Sequence, residues 1–287
     1  MKKLHLFFVL MIVVAINLQA QNNIRPSFHF GDMNLYNPAN LPLKTWQTNY
    51  FSLQTNYKFV KNEDEIWNKP PSFLLNYIGE TKHSGLYYSV GYFNDSYSFF
   101  NRNNISGGVV YRMRLGEMSS LSFGARISVN FDVVNWNKLM LPLARNGAGL
   151  MLSPDLDLGV EYSWKKLRIG LASKNIIGFR TKIDDEVLIQ NERLTSLSAS
   201  YLFNVGSNFE IAPLAMVYFD NRMIYDVGVY FRAYEYVSVS YVLRANELRS
   251  IISADVRLIR NLYLGVAIDF SPMLPDKNFC VALRYGF

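Results

Sequence analysis

The sequence predicts an all-β fold, a transmembrane antiparallel β-barrel of about 14 strands preceded by an N-terminal segment that is not strand. Three observations carry this reading. Apolar and polar residues alternate with a period of two over unusually long stretches, those stretches come in an even number, and the connections between them alternate short with long. In hydrocarbon every backbone donor and acceptor must be paired within the protein, so such strands are stable only if the sheet closes on itself.

Residues 1–20, MKKLHLFFVLMIVVAINLQA, open with two lysines and continue with an apolar run from Leu6 to Ile16. A membrane-spanning helix needs about 20 apolar residues; this shorter run, with Ala20 ahead of Gln21, has the form of a cleaved signal peptide. No later stretch reaches 18 uncharged apolar residues, which excludes a helical membrane protein. Without Lys2 and Lys3 the chain has 27 basic and 23 acidic residues, a formal charge of +4 scattered along its length. That balance gives no footprint for nucleic acid. Cys280 is the only cysteine and cannot form an internal disulfide.

Residues 21–45 contain three prolines and little alternation. We expect them to be ordered without being strand, packed in the lumen or along the periplasmic rim, or used for recognition. The barrel is expected over residues 46–287, with strands near 46–60, 71–79, 84–94, 104–116, 119–134, 154–165, 167–175, 194–204, 208–219, 222–233, 235–245, 249–259, 261–271 and 278–287. The clearest runs from Leu121 to Val133. There Leu121, Phe123, Ala125, Ile127, Val129, Phe131 and Val133 alternate with Ser122, Gly124, Arg126, Ser128, Asn130 and Asp132. One face suits lipid, the other water.

With both termini periplasmic, the tight turns (Glu80–His83, Glu117–Met118, Trp164–Lys166, Val205–Ser207, Ala233–Tyr234 and Ile259–Arg260) fall on one side. The long loops Lys61–Pro70, Asp95–Asn103, Asn135–Ser153, Asn175–Arg193 and Pro272–Lys277 fall on the other, where only the short Asp220–Asn221 departs from the pattern. The last strand must then pair with the first.

Catalytic and metal-binding patterns are missing. His5 belongs to the signal peptide, and His29 and His83 have no metal-ligand spacing. Asp155 and Asp157 alternate onto the water-filled side of a strand, and Asp184-Asp185-Glu186 lies in a polar loop; both are read as solvated charge. No enzyme activity, cofactor or metal is expected.

Tyr36-Asn37-Pro38-Ala39, just ahead of the first strand, resembles the signature of the PorP/SprF family of type IX secretion system membrane proteins. Leu121-Ser122-Phe123-Gly124-Ala125, Leu156-Asp157-Leu158-Gly159-Val160, Leu167-Arg168-Ile169-Gly170-Leu171 and the closing Leu283-Arg284-Tyr285-Gly286-Phe287 resemble that family's strands. Asn40-Leu41-Pro42 and Pro275-Asp276-Lys277-Asn278 depart from its pattern. The resemblance implies the outer membrane of a Bacteroidota-type bacterium and a role in exporting, or holding at the surface, proteins with C-terminal sorting domains, with a link to gliding or adhesin display. The partners it implies are periplasmic or peptidoglycan-associated secretion components and a surface adhesin or other sorting-domain cargo, with Tyr36, Asn37, Pro38 and Ala39 as the docking element. A general porin or nutrient transporter is the alternative, with Arg126, Asp157, Glu161, Arg168, Arg257, Asp269 and Arg284 lining its pore.

Phe279, Val281, Leu283, Tyr285 and Phe287 form a lipid-facing stripe. Tyr285 and Phe287 are read as the insertion signal recognised by the barrel assembly machinery. Deleting Phe287, or replacing Tyr285 and Phe287 with serine, is therefore expected to lower the folded, heat-modifiable form in the outer membrane, because interfacial aromatic anchoring is lost; an unchanged folded yield in a gel-shift assay would contradict this.

Overall fold

The computed structural model describes residues 30–41, 49–61, 66–68, 71–97, 100–135, 148–183, 186–220, 223–272 and 276–287. It is a closed antiparallel barrel of 14 wall strands. In chain order these are β1 (Tyr50–Lys61), β2 (Ser72–Glu80), β3 (Leu86–Tyr97), β4 (Phe100–Arg114), β5 (Ser119–Asn135), β6 (Ala148–Trp164), β7 (Leu167–Lys174), β8 (Leu194–Tyr201), β9 (Phe209–Phe219), β10 (Met223–Ala233), β11 (Val237–Arg244), β12 (Arg249–Ile259), β13 (Leu262–Phe270) and β14 (Asp276–Gly286). Each pairs with its neighbour in sequence, and β14 pairs with β1 through Phe51↔Tyr285, Leu53↔Leu283, Thr55↔Val281 and Tyr57↔Phe279. Phe287 exchanges backbone hydrogen bonds with Asn49 at 3.0 and 3.3 Å, which holds that end in the ladder.

Burial is inverted relative to a water-soluble sheet. On β5, Phe123 and Ile127 are 48% and 65% exposed, whereas Ser122 and Asp132 are 1% exposed. On β14, Phe279, Leu283 and Tyr285 face outward, and Cys280, Ala282 and Arg284 are buried. Only surroundings as apolar as the outer face make this arrangement favourable. The inner face is held by ion pairs: Arg102 with Asp132 at 2.9 Å, Arg244 with Asp226 at 2.9 Å and Arg249 with Asp269 at 2.8 Å. Each is a charge-assisted pair shielded from solvent.

The turns at the end carrying both described termini are tight, and residues with positive φ make them. Lys165 and Asn261 sit at φ 53° and 68° in the turns after β6 and β12. Gly85, at φ 83°, lies where a Cβ would come within 2.5 Å of the Arg112 carbonyl oxygen, so only glycine fits. Pro213 on β9 marks an interruption: β8 pairs as far as Ser200↔Leu214, and pairing resumes only at Phe203↔Ile211. A proline has no N–H to give the ladder.

At the opposite end the strands run further than their sequence suggests. β3 continues to Tyr97, β4 begins at Phe100 and β6 begins at Ala148, so the expected loops Asp95–Asn103 and Asn135–Ser153 are partly strand. On β3 and β4 polar side chains on both faces hide the alternation, while cross-strand hydrogen bonds keep the ladder: Asn94 donates to Asn101 and Asn103 at 3.0 and 2.9 Å, and Tyr92 to Asn103 at 2.9 Å. Within the expected loop Lys61–Pro70, residues Ile66–Asn68 fold back onto β1, and Asn175–Arg193 contains the hairpin Arg180–Ile183 with Glu186–Gln190. Residues 46–48, expected to open the first strand, lie outside the described residues.

The seam generates a direct test. In a Cys280→Ser background, cysteines replacing Thr55 and Val281 should form a disulfide on mild oxidation, since directly opposed Cα atoms in an antiparallel ladder lie about 4.5–5.5 Å apart. A chain that stays uncrosslinked while heat-modifiable would contradict the β1–β14 register.

Candidate functional site

The lumen is occupied by the chain itself. Residues 30–41 form a re-entrant segment that passes through one 3-10 turn at Met33–Leu35. From Asp32 onward, Asp32, Asn34, Tyr36, Asn37, Ala39, Asn40 and Leu41 are buried. Their partners lie all around the wall.

Phe30 stacks on Tyr230 of β10 with ring centroids 5.3 Å apart. Asp32 pairs with Arg284 of β14 at 3.7 Å and accepts hydrogen bonds from Tyr50 (3.3 Å) and Gln54 of β1. Arg284 pairs in turn with Asp255 of β12. Burial pushes the Asp32 carboxyl above the usual carboxylate range, and the Arg284 guanidinium opposes that shift. Asn34 and Asn76 of β2 exchange amide hydrogen bonds at 3.1 and 3.0 Å, and Arg126 of β5 donates to the Asn34 carbonyl. Tyr36 packs against Leu194, Leu214, Met216, Tyr218 and Ile224. Asn40 donates to Glu161 of β6, which is paired with Arg168 of β7 at 2.6 Å; Arg168 also donates to the Leu41 carbonyl at 2.7 Å. Leu41 closes the arc against Ile78 and Val110.

At the centre of this arrangement is the Asn37-Pro38 turn. Pro38 fixes its own φ, and the Asn37 Oδ1 accepts the Ala39 N–H at 2.9 Å, an Asx-type bond that rigidifies the turn. The Asn37 Nδ2 donates to the Val160 carbonyl at 3.1 Å. The turn lies against three glycines on three adjacent strands, Gly124, Gly159 and Gly170. A Cβ at Gly159 would overlap the Asn37 Oδ1, one at Gly124 would overlap Pro38 and Ala39, and one at Gly170 would lie 2.6 Å from the Asn37 Nδ2. Any side chain at these positions would occupy the space the turn fills.

The structure thus brings together Tyr36, Asn37, Pro38 and Ala39 with the glycines of three strand motifs that lie far from them in sequence. Asp32, Asn34 and Asn40, and their wall partners Arg284, Gln54, Asn76, Arg126 and Glu161, were not singled out by sequence reasoning as partners of this segment. The available signal was glycine at an inward position in three consecutive strands, which a water-filled lumen would not require. Tyr285 and Phe287 lie elsewhere, on the outer face, stacked on each other at 5.6 Å, with Phe287 also stacked on Tyr77 at 6.2 Å.

Asp155 and Asp157 are a correction to the solvated reading. Both are buried: Asp155 accepts from the N–H groups of Leu156 and Ile177 and from Asn191, and Asp157 accepts from the N–H of Asn175. They pin the connection after β7, because its backbone donors have no ladder partner there. Among the described residues no cluster of three or more metal-ligating side chains occurs. Asp184 and Asp185 lie outside the described residues. Beside the segment is a cavity of about 30 Å³ lined by Phe30, Asn40 and Arg168, and another of about 60 Å³ lies between Leu35, Arg102, Asn130 and Lys174. Spaces of this size hold a few waters.

A family model described as type IX secretion system membrane protein PorP/SprF matches residues 18–273. No curated protein sequence matches significantly. Among solved structures, the chain is similar to the Acinetobacter baumannii outer membrane protein Omp33 (10% identity, TM-score 0.53, covering 84% of this chain and 99% of that one). It is also similar to the CymD monoaromatic hydrocarbon channel (12%, 0.54, 94% and 95%) and to the Ralstonia pickettii toluene transporter TbuX (9%, 0.55, 84% and 90%). At these identities the likeness is one of fold.

The glycine cradle makes a prediction. Gly159→Ala should displace the Asn37-Pro38 turn at an overpacking cost of about 1–3 kcal/mol. With Met33→Cys as reporter in a Cys280→Ser background, thiol labelling of the folded barrel should then quicken about tenfold, the change that 1.4 kcal/mol produces. An unchanged rate would mean that the cradle does not seat the segment.

Proposed function

Because the chain belongs to the PorP/SprF family of type IX secretion system membrane proteins, we propose that it serves export or surface retention of sorting-domain proteins as a sealed outer-membrane platform. It offers binding surfaces without offering a diffusion path. Both termini are periplasmic in this reading, where secretion components or peptidoglycan-associated proteins reach the turns, and the opposite end meets cargo at the cell surface. The observation that carries it is the buried segment 30–41, held to β14, β2, β6 and β7 by charge-assisted and amide hydrogen bonds and packed against β8, β9 and β10. A permeation pathway needs a wetted lumen; here the inward charges Arg126, Glu161, Arg168 and Arg284 are spent on the segment and on one another. Tyr36, Asn37, Pro38 and Ala39 serve this role by seating the segment, and through it they set the shape of the surfaces at either end.

The test is electrical and is paired with a cargo assay. In planar bilayers the purified protein should show no steady open level, whereas a variant lacking residues 30–41 that remains heat-modifiable should conduct. A steady conductance from the intact protein would overturn this reading in favour of a general channel. In cells, Tyr36→Ala with Asn37→Ala should leave a folded barrel and reduce surface display of a cognate sorting-domain protein; normal display would remove the segment from the export role.

A further inference from the structure

The positive charge that is scattered along the sequence is gathered at one end by the fold. At the six tight turns, and in the four strand residues on either side of each, three basic residues are matched: Arg168 with Glu161 at 2.6 Å, Arg232 with Glu210 at 2.8 Å and Arg257 with Glu235 at 3.5 Å. Lys82, Arg112, Arg114, Lys165, Lys166 and Arg260 remain, none of them in an ion pair among the described residues, and the same stretches add only Glu80 and Glu117. The excess of four positive charges equals the whole formal charge of residues 21–287, which hold 27 basic and 23 acidic residues. The opposite end pairs its charges, with Arg102, Arg244 and Arg249 each held to an aspartate.

Strand register shows how the unmatched cations are disposed. Arg114, Ser120, Ser163 and Arg168 lie in one row across β4, β5, β6 and β7, so only two serines separate the two basic residues in that row. With strands about 4.8 Å apart, the row spans about 14 Å. In the next row Arg112 is across from Ser122, and Ser122 from Glu161, the carboxylate already held by Arg168 and Asn40. Tyr111 and Met113 are exposed on the outer face, so Arg112 and Arg114, which alternate with them, face the mouth of the lumen. Arg114, Lys165 and Lys166 are exposed. Lys165 also lies over the Trp164 ring at 5.1 Å, which holds its ammonium at the rim.

The chain has no acidic residue of its own to neutralise this arc. Residues 21–29 and 42–48, which flank the described part of the inner segment, contain Arg25 and Lys44 and no aspartate or glutamate. The acidic residues outside the described ones, Glu63, Asp64, Glu65, Asp184 and Asp185, fall between strand ends of the opposite rim. Unmatched cations spread over four strands repel one another and select an extended array of carboxylates.

We propose that the mouth at the tight-turn end docks the acidic surface of a partner polypeptide, with Arg114, Lys165 and Lys166 at the centre of the contact. Lipid headgroups surround the wall from outside, whereas Arg112 and Arg114 face the axis. A single small anion would engage one or two of the cations and leave the others unmatched. The side from which the partner comes rests on the sealed-platform reading; the chemistry by which it is chosen is what the basic arc adds.

The experiment uses the full-length protein in a zwitterionic detergent and fluorescein-labelled decaglutamate, read by anisotropy at low salt. Saturable binding is expected, falling as salt screens the exposed pairs. Arg114→Gln, Lys165→Gln and Lys166→Gln together should weaken it about tenfold. Lys61→Gln, Arg193→Gln and Lys277→Gln, the same loss of charge at the opposite end, should leave it unchanged. Decaglutamine should not bind the unaltered protein, an arm independent of any variant's folding. Equal weakening by the two triple variants in heat-modifiable barrels would reduce the attraction to net charge and overturn the proposal. Absence of decaglutamate binding, together with phosphatidylglycerol retained in the purified micelle and lost from the first triple variant, would overturn it in favour of a lipid surface. The side is read separately, by Lys166→Cys in a Cys280→Ser background, which should react with an impermeant thiol reagent only after the outer membrane is permeabilised. Labelling on intact cells would overturn the periplasmic orientation and leave a decaglutamate-binding mouth standing. Labelling confined to permeabilised cells, with no decaglutamate binding, would overturn the docking surface and leave the orientation standing.

Discussion

Pairing of the first strand with the last is the constraint on which everything else rests. A sheet of this composition has its apolar side chains outside and its polar ones inside, and neither face is stable unless the backbone ladder is complete around the ring. The β1–β14 register completes it, and the hydrogen bonds between Asn49 and Phe287 extend it to the terminal aromatic. Once the ring is closed, the lumen becomes a second interior, with a chemistry opposite to that of an ordinary core. Its walls are serine, asparagine, aspartate and arginine, so whatever fills it must be polar and matched in hydrogen bonds. The segment around Asn37 meets that requirement with three asparagines and an aspartate inside twelve residues.

This explains why a short stretch without strand can be as well determined as the wall. A buried polar group left without a partner costs about 1–3 kcal/mol. Asn34 finds its partner on β2, and Asn37 and Asn40 find theirs on β6, so the segment has a specific register along the lumen. Apolar contacts alone would permit sliding. The tyrosine between them adds an anchor, since Tyr36 places its ring on the small apolar cluster around Met216 and Tyr218.

The strand count, order and closure were legible in the sequence because a period of two is a local property that survives without knowledge of contacts. β5 and β14 are examples, and the inward and outward sets read from their residues are those found in the fold. Strand ends away from the tight turns were not legible. There, Asn101, Arg102 and Asn103 look like loop residues, and only their cross-strand hydrogen bonds show them to be ladder. The four-residue motif was visible, as were the glycines of the strand motifs, but their convergence was not. It depends on barrel register, which brings Gly124, Gly159 and Gly170 under one turn, and register is not encoded in the spacing of any single strand. Asp155 and Asp157 were misjudged as solvated for the same reason: an inward carboxylate beside open water and one capping a descending loop have identical local sequences.

The salt bridge between Asp32 and Arg284 joins residues separated by almost the whole length of the chain. During synthesis and transport the aspartate emerges early, and its guanidinium partner belongs to the final strand. The inner segment thus stays without its strongest charge partner until the ring is nearly finished, and chain closure and filling of the lumen become neighbouring events in time. Contacts of such long sequence separation are slow to form. The polar, proline-containing character of the segment then has a second use: it keeps an exposed, waiting stretch of chain soluble in the aqueous compartment before assembly.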